Sequence, residues 1–176
     1  GRTSIRKFLT SSREVMLLAL STSSSAAVMP LTLKVTEQQL GVRSGITRFV
    51  VPLGATINMA GTALYQGIAT LFLAQVFAVD IGISGMILVV VMATGASIGT
   101  PGTPGVGIVI LATILEIVGI PAAGIALIMG VDRILDMCRT SVNVVGDMAA
   151  SIILNRFIPA TPTEADEAEL PIELKR

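Results

Sequence analysis

Apolar residues fall in four long stretches along this chain, and small polar residues break or stripe every one of them. The first, about 15–33, is apolar at both ends and interrupted by Ser21-Thr22-Ser23-Ser24-Ser25. Neither half reaches the ~20 apolar residues that a helix needs to cross ~30 Å of hydrocarbon. The pattern therefore predicts two short helices meeting at a Ser-rich tip. Residues 1–14 read as a polar, basic surface segment, and residues 34–48 are amphipathic and basic. The second stretch, about 45–79, is long enough to span, but its centre at 54–62 is polar and Gly-rich, which predicts a broken helix. Asp80, Gly82, Ser84 and Gly85 form a turn. The third stretch, about 86–118, consists of two short apolar runs around Gly99-Thr100-Pro101-Gly102-Thr103-Pro104-Gly105. No continuous helix tolerates that segment, so a second hairpin is expected. The fourth stretch, about 122–155, predicts a last long helix. Residues 157–176 are rich in Pro and Glu and predict a disordered cytoplasmic tail.

Composition turns this pattern into a membrane assignment. Charged residues make up 14% of the 176 residues and hydrophobic ones 52%, with a mean hydropathy of +0.82. A soluble domain carries about 25% charge and needs a polar face on each surface helix. Seven of the twelve Lys and Arg precede position 49, and the next is Arg133. The stretch between holds only three acids, Asp80, Glu116 and, next to Arg133 itself, Asp132. Half-helices around polar tips are tolerated at membrane depth only when buried in protein or lining a wet cavity, and such discontinuous helices point to a transporter's binding site. The expected fold is therefore all-α and integral to the membrane, with two re-entrant hairpins and two spanning helices, one broken. Basic residues flank the first hairpin, and the connections near 79–85 and 118–124 have none. The first hairpin's base is accordingly placed in the cytoplasm, and the second hairpin enters from outside. With no basic patch among aromatics, nucleic acid is not an expected partner. The lone Cys138 and the absence of His leave no disulfide framework or Cys/His site, and Cys138 reads as a packing residue. No nucleophile–base pair appears, so an enzyme is not expected, and no cofactor is. A chain that opens on Gly1, with no signal peptide before its first apolar run, reads as the C-terminal part of something longer.

The chemistry concentrates in 132–147. At ~100° per residue, Asp132, Asp136, Arg139, Thr140, Asn143 and Asp147 share an arc of roughly 100°. Ile134, Met137, Val142 and Val145 lie outside it. An unpaired ionisable group at the centre of a membrane helix costs roughly 2.5 to 3.5 kcal/mol, so these groups face a cavity, paired with each other or with ligands. Arg139 presents a planar fork suited to a carboxylate. Asp136, about one turn away, suits an ammonium group. Asp147 and Asn143 offer hard oxygens for a small cation. The competing reading is a structural ion pair in which Asp136 and Arg139 neutralise each other. Ser24 and Ser25 can equally be helix caps, Thr100 and Thr103 turn residues, and Met59 core packing.

Four ordered motifs make the chain resemble a known family. They are Ser24-Ser25 followed by Pro30, Gly54-Ala55-Thr56-Ile57-Asn58-Met59-Ala60-Gly61-Thr62-Ala63-Leu64-Tyr65, Ala96-Ser97-Ile98-Gly99-Thr100, and Arg139-Thr140-Ser141-Val142-Asn143-Val144-Val145-Gly146-Asp147. The chain is similar over about 1–156 to the dicarboxylate/amino acid:cation symporters, which include glutamate transporters and their prokaryotic homologues. The resemblance implies a homotrimer in the cell membrane, multi-pass, whose transport domain carries the substrate between two hairpin tips. This chain corresponds to the C-terminal part of that domain, without the scaffold helices. It implies a substrate site of Ser25, Thr62, Thr103, Gly107, Asp136, Arg139, Thr140 and Asn143. Arg139 would take the side-chain carboxylate and Asp136 the amino group. It implies one sodium at Gly54, Asn58, Asn143 and Asp147, and another at Thr56, Ser97, Ile98 and Thr100, close to Met59. The family motif reads Asn-Met-Asp-Gly-Thr where this chain has Ala60, which implies fewer coupled sodium ions. Gln66 replaces a Glu of eukaryotic members linked to proton and potassium coupling. Pro101 and Thr103 alter the second tip, and the Arg that relatives carry at the Ser23 or Met137 position is absent.

The function expected is sodium-coupled symport of aspartate or glutamate by alternating access. The alternatives are a C4-dicarboxylate symporter, a proton-coupled variant, a non-transporting remnant and, more remotely, an anion-conducting channel. Arg139 argues for an acidic substrate, and Asp136 favours an amino acid over a plain dicarboxylate such as succinate.

Overall fold

A computed structural model describes residues 4–98 and 105–159. Among these, the chain forms seven α-helices and one 3-10 turn: α1 (Ile5–Thr22), α2 (Ser25–Gln38), α3 (Ser44–Ile57), α4 (Ala60–Val76), α5 (Gly82–Ser97), α6 (Val106–Ile117), the turn Ala122–Gly124 and α7 (Ile125–Phe157).

The first helix starts earlier than the apolar pattern suggests. Ser4 caps it by accepting the Lys7 N–H, and the basic segment is helical from Ile5. Periodicity alone hides this start, because helix formation here rests on a cap and on packing of Phe8 rather than on an apolar run. α1 ends where Ser23 takes a left-handed conformation (φ 51°), and Ser24 caps α2 by accepting from the Ala27 N–H. The tip is thus two residues long. α2 carries Pro30 and runs to Gln38, into the segment read as a separate amphipathic stretch.

The break in the second apolar stretch is narrower than the polar motif. Only Asn58 and Met59 leave helical geometry, with ψ near 55° at both (56° and 54°), while Gly54 and Gly61 stay inside α3 and α4. Together Ser44–Val76 is long and apolar enough to cross a membrane. α5 and α6 are shorter apolar helices. Residues 99–104, the expected second tip, and 160–176, most of the expected tail, lie outside the described residues.

α7 organises the molecule. Its 33 residues reach about 50 Å, and it packs against α1, α2, α3, α4 and α6. Its C-terminal half closes a core of Val15, Ala19, Val28, Val35, Val144 and Met148 with α1 and α2. Its N-terminal half joins Ala69, Leu73, Leu111 and Leu115 of α4 and α6 through Ile128. Arg43, just ahead of α3, holds its far end. The Arg43 backbone N–H and Nε donate to Asn155 Oδ1 at 3.2 and 2.9 Å, and its Nη groups donate to the carbonyls of Asn155, Ile158 and Pro159. A guanidinium there satisfies terminal carbonyls and complements the helix dipole. Outside, large apolar side chains stand exposed along α5 (Ile83, Ile87, Val90, Val91) and along the outer face of α4 and α7 (Ile68, Phe72, Met129, Ile134). Water would not tolerate so continuous an apolar surface.

Candidate functional site

The polar stripe of α7 is buried. Asp136, Arg139, Thr140, Asn143 and Asp147 are all at most 8% exposed, and the broken α3–α4 helix lies against them. Two glycines allow that approach. A Cβ on Gly61 would collide with the Arg139 carbonyl oxygen, and one on Gly54 with the Asp147 carboxylate. These glycines therefore serve contact with α7, and the break itself sits between them.

Around the break the stripe divides in two. At the far side, Asn58 Nδ2 donates to Asp147 Oδ1 at 3.0 Å, with the Asp147 carboxylate resting on Gly54. Asp147 is 1% exposed, and among the described residues no Lys or Arg pairs with it. Asn143 lies between the two ends. Its Oδ1 accepts the Gly61 N–H at 2.8 Å, and its Nδ2 reaches Met59 Sδ at 3.3 Å and Thr62 Oγ1 at 3.4 Å. The structure thus brings Gly54, Asn58, Asn143 and Asp147 onto one seam, with Thr62 and Met59 beside it.

At the near side, Arg139 Nη2 donates to Asp136 Oδ1, and the outer Asp136 oxygen, Oδ2, has Arg133 Nη1 at 4.0 Å. Thr140 donates to the Asp136 carbonyl at 2.9 Å. The Arg139 guanidinium lies 5.5 Å from the centre of the Tyr65 ring, within cation–π range. A Cβ on Gly107 would collide with Arg139 Nη1, so α6 contributes a bare backbone to the guanidinium's flank. Arg139 also borders an apolar groove of about 450 Å³ between α4 and α7, with Gly61, Tyr65, Leu135, Cys138 and Val142. Cys138 is exposed there, where a packing residue was expected.

Ser25 is buried at the start of α2 and Ser97 at the end of α5, where its hydroxyl donates to the Thr94 carbonyl. Thr56 is exposed and donates to the Leu53 carbonyl, and Ile98 is exposed. Thr100 and Thr103 lie outside the described residues.

Two residues named in the sequence reading but not as site residues also belong to the site. Tyr65 donates its hydroxyl to Asp132 Oδ1 at 2.7 Å while its ring supports Arg139. Gln66, fully buried, donates to the Gly107 carbonyl at 2.8 Å. The signal was available: Thr62, Gln66 and Thr70 recur every four residues in an apolar helix, and all three are buried.

Comparison with known proteins gives first the class. The family model described as "Sodium:dicarboxylate symporter family" matches residues 1–157. The chain belongs to that family of transporters and is a membrane protein. Its relatives include human "Excitatory amino acid transporter 3", 44% identical over 151 residues, which cover 86% of this chain and 29% of the relative. The "Proton/sodium-glutamate symport protein" of Bacillus subtilis (strain 168) is 44% identical over 154 residues, 88% of this chain and 36% of that protein. Rattus norvegicus "Excitatory amino acid transporter 1" is 47% identical over 141 residues, 80% of this chain and 26% of the relative. The chain thus spans roughly a third of the length of the curated relatives it matches.

Proposed function

We propose that the protein of which this chain forms the substrate-binding part is a sodium-coupled symporter of acidic amino acids in the plasma or inner membrane. One observation carries the reading: a buried guanidinium–carboxylate pair and a buried carboxylate without a cation share one helix face, with Asn143 between them. The first suits a substrate with carboxylate and ammonium groups, and the second suits a small cation. The names of the relatives, excitatory amino acid transporters and a glutamate symport protein, support the same substrate class.

Arg139 takes the substrate side-chain carboxylate and Asp136 its ammonium, with Thr62, Thr140 and Asn143 completing the polar shell. Ser25 and the segment of Thr103 and Gly107 close the site from the two re-entrant hairpins, α1–α2 and α5–α6. One sodium sits on Asp147 with Asn58, Asn143 and the Gly54 carbonyl. A second uses Thr56, Ser97, Ile98 and Thr100. Sodium neutralises Asp147 and fixes Asn58 and Asn143, which orders the neighbouring substrate site. Binding of the two is then linked, and alternating access follows from movement of this domain against a trimeric scaffold.

The test is uptake of radiolabelled aspartate by the full-length protein in liposomes, with and without a sodium gradient and with succinate as competitor. Sodium-driven uptake with succinate the weaker ligand is expected. Uptake indifferent to sodium, or absent, contradicts the reading.

A further inference from the structure

The stripe places two guanidiniums on one carboxylate. Asp136 is 3% exposed, and its inner oxygen is engaged by the buried Arg139. Its outer oxygen has Arg133 Nη1 at 4.0 Å, and the Arg133 side chain is 60% exposed. The two arms are unequal. Arg139 is fixed by Tyr65, Gly107 and Asp136, whereas Arg133 is one turn away at the edge of the stripe with room to move. Asp132 does not compete for it in this arrangement, since its carboxylate accepts the Tyr65 hydroxyl, and adjacent helix residues do not face each other.

This matters once Arg139 is given to a ligand carboxylate. A buried Asp136 left without a cation is strongly unfavourable. A ligand ammonium can replace Arg139, but a plain dicarboxylate brings none. Arg133 needs to close only from 4.0 Å to an ordinary ion-pair distance of about 2.8 Å.

Resting on the proposed function, we infer that Arg133 is the stand-by counter-ion of Asp136 and sets how far the site accepts dicarboxylates lacking an amino group. An acidic amino acid supplies its own cation to Asp136 and depends little on Arg133. A dicarboxylate such as succinate depends on it fully.

The experiment compares wild type, R133Q and R133K of the full-length protein in liposomes, reading sodium-driven aspartate uptake and its inhibition by succinate. R133Q is expected to keep aspartate affinity within about threefold while succinate inhibition weakens about tenfold, a difference of 1.4 kcal/mol. R133K, which keeps the charge, restores succinate inhibition. If R133Q binds but does not transport, the same ratio is read by calorimetric titration of the purified protein. An unchanged aspartate-to-succinate ratio in R133Q, or a wild type that succinate fails to inhibit even in large excess, overturns the role of Arg133 and leaves the proposed function standing. A wild type with no sodium-driven aspartate uptake overturns both.

Discussion

The two ends of the α7 stripe solve the same problem in opposite ways. Both bury a carboxylate, Asp136 at 3% and Asp147 at 1% exposure. Asp136 is compensated within the protein by Arg139, with Arg133 in reserve. Asp147 has one amide donor, Asn58, and a glycine surface at Gly54. Desolvating a carboxylate costs several kcal/mol unless a charge offsets it. The first end is therefore complete without a ligand, while the second lacks a counter-charge; in the proposed function a substrate opens the first and a cation fills the second. A coupled transporter needs both kinds of site, and Asn143 lies between them on the helix face, bonded to Gly61, Met59 and Thr62.

The largest effect comes from breaking the compensated end. Arg139→Ala removes the carboxylate fork and leaves Asp136 with Arg133 alone, so acidic substrate binding falls at least about a hundredfold. Arg139→Cys shifts preference toward neutral amino acids. Titration of the full-length variants with aspartate and serine checks both, and unchanged aspartate affinity in either contradicts the assignment. Next in size is Gly107→Ala. Its methyl meets Arg139 Nη1, and the guanidinium, held by Asp136 and Tyr65, has to turn. Aspartate affinity drops about tenfold with the fold intact, as read by titration and by thermal unfolding.

A smaller effect sharpens the uncompensated end. Ala60, exposed at the first turn of α4, stands beside the break, and Ala60→Asp adds a carboxylate where the helix dipole favours one. Sodium dependence of uptake steepens, by about one unit of Hill slope at most. An unaltered slope counts against a cation site near that position. Smallest on transport is Arg43→Ala, which leaves both ends of the stripe untouched. It loosens the α7 terminus and lowers stability by about 1–2 kcal/mol, seen as a reduced Tm with substrate affinity retained.

Much of this contrast was legible in the sequence, because helical spacing alone puts Asp136, Arg139, Asn143 and Asp147 on one face. A break within Ser21–Ser25 was legible too, since polar residues there interrupt runs too short to span, but not that it narrows to Ser23 and Ser24. Contacts set by tertiary packing were not. Gly54 and Gly61 read as helix breakers, yet both are helical and make room for α7. Tyr65 passed as part of a motif, although its place between Asp132 and Arg139 depends on how α4 meets α7. Arg43 looked like one of several surface cations, and its grip on Asn155 joins residues far apart in sequence. Thr100 and Thr103 remain proposals from resemblance.

The most direct test is aspartate affinity of the full-length protein, measured by calorimetric titration over a range of sodium concentrations, in wild type and in Asp147→Asn. Asn keeps a partner for Asn58 and removes the charge. The account predicts a steep rise in affinity with sodium in wild type and a much flatter one in the variant, with Arg139 and Asp136 unaltered. Equal sodium dependence in the two proteins would contradict it, because the uncompensated carboxylate would then not be where the coupling ion binds.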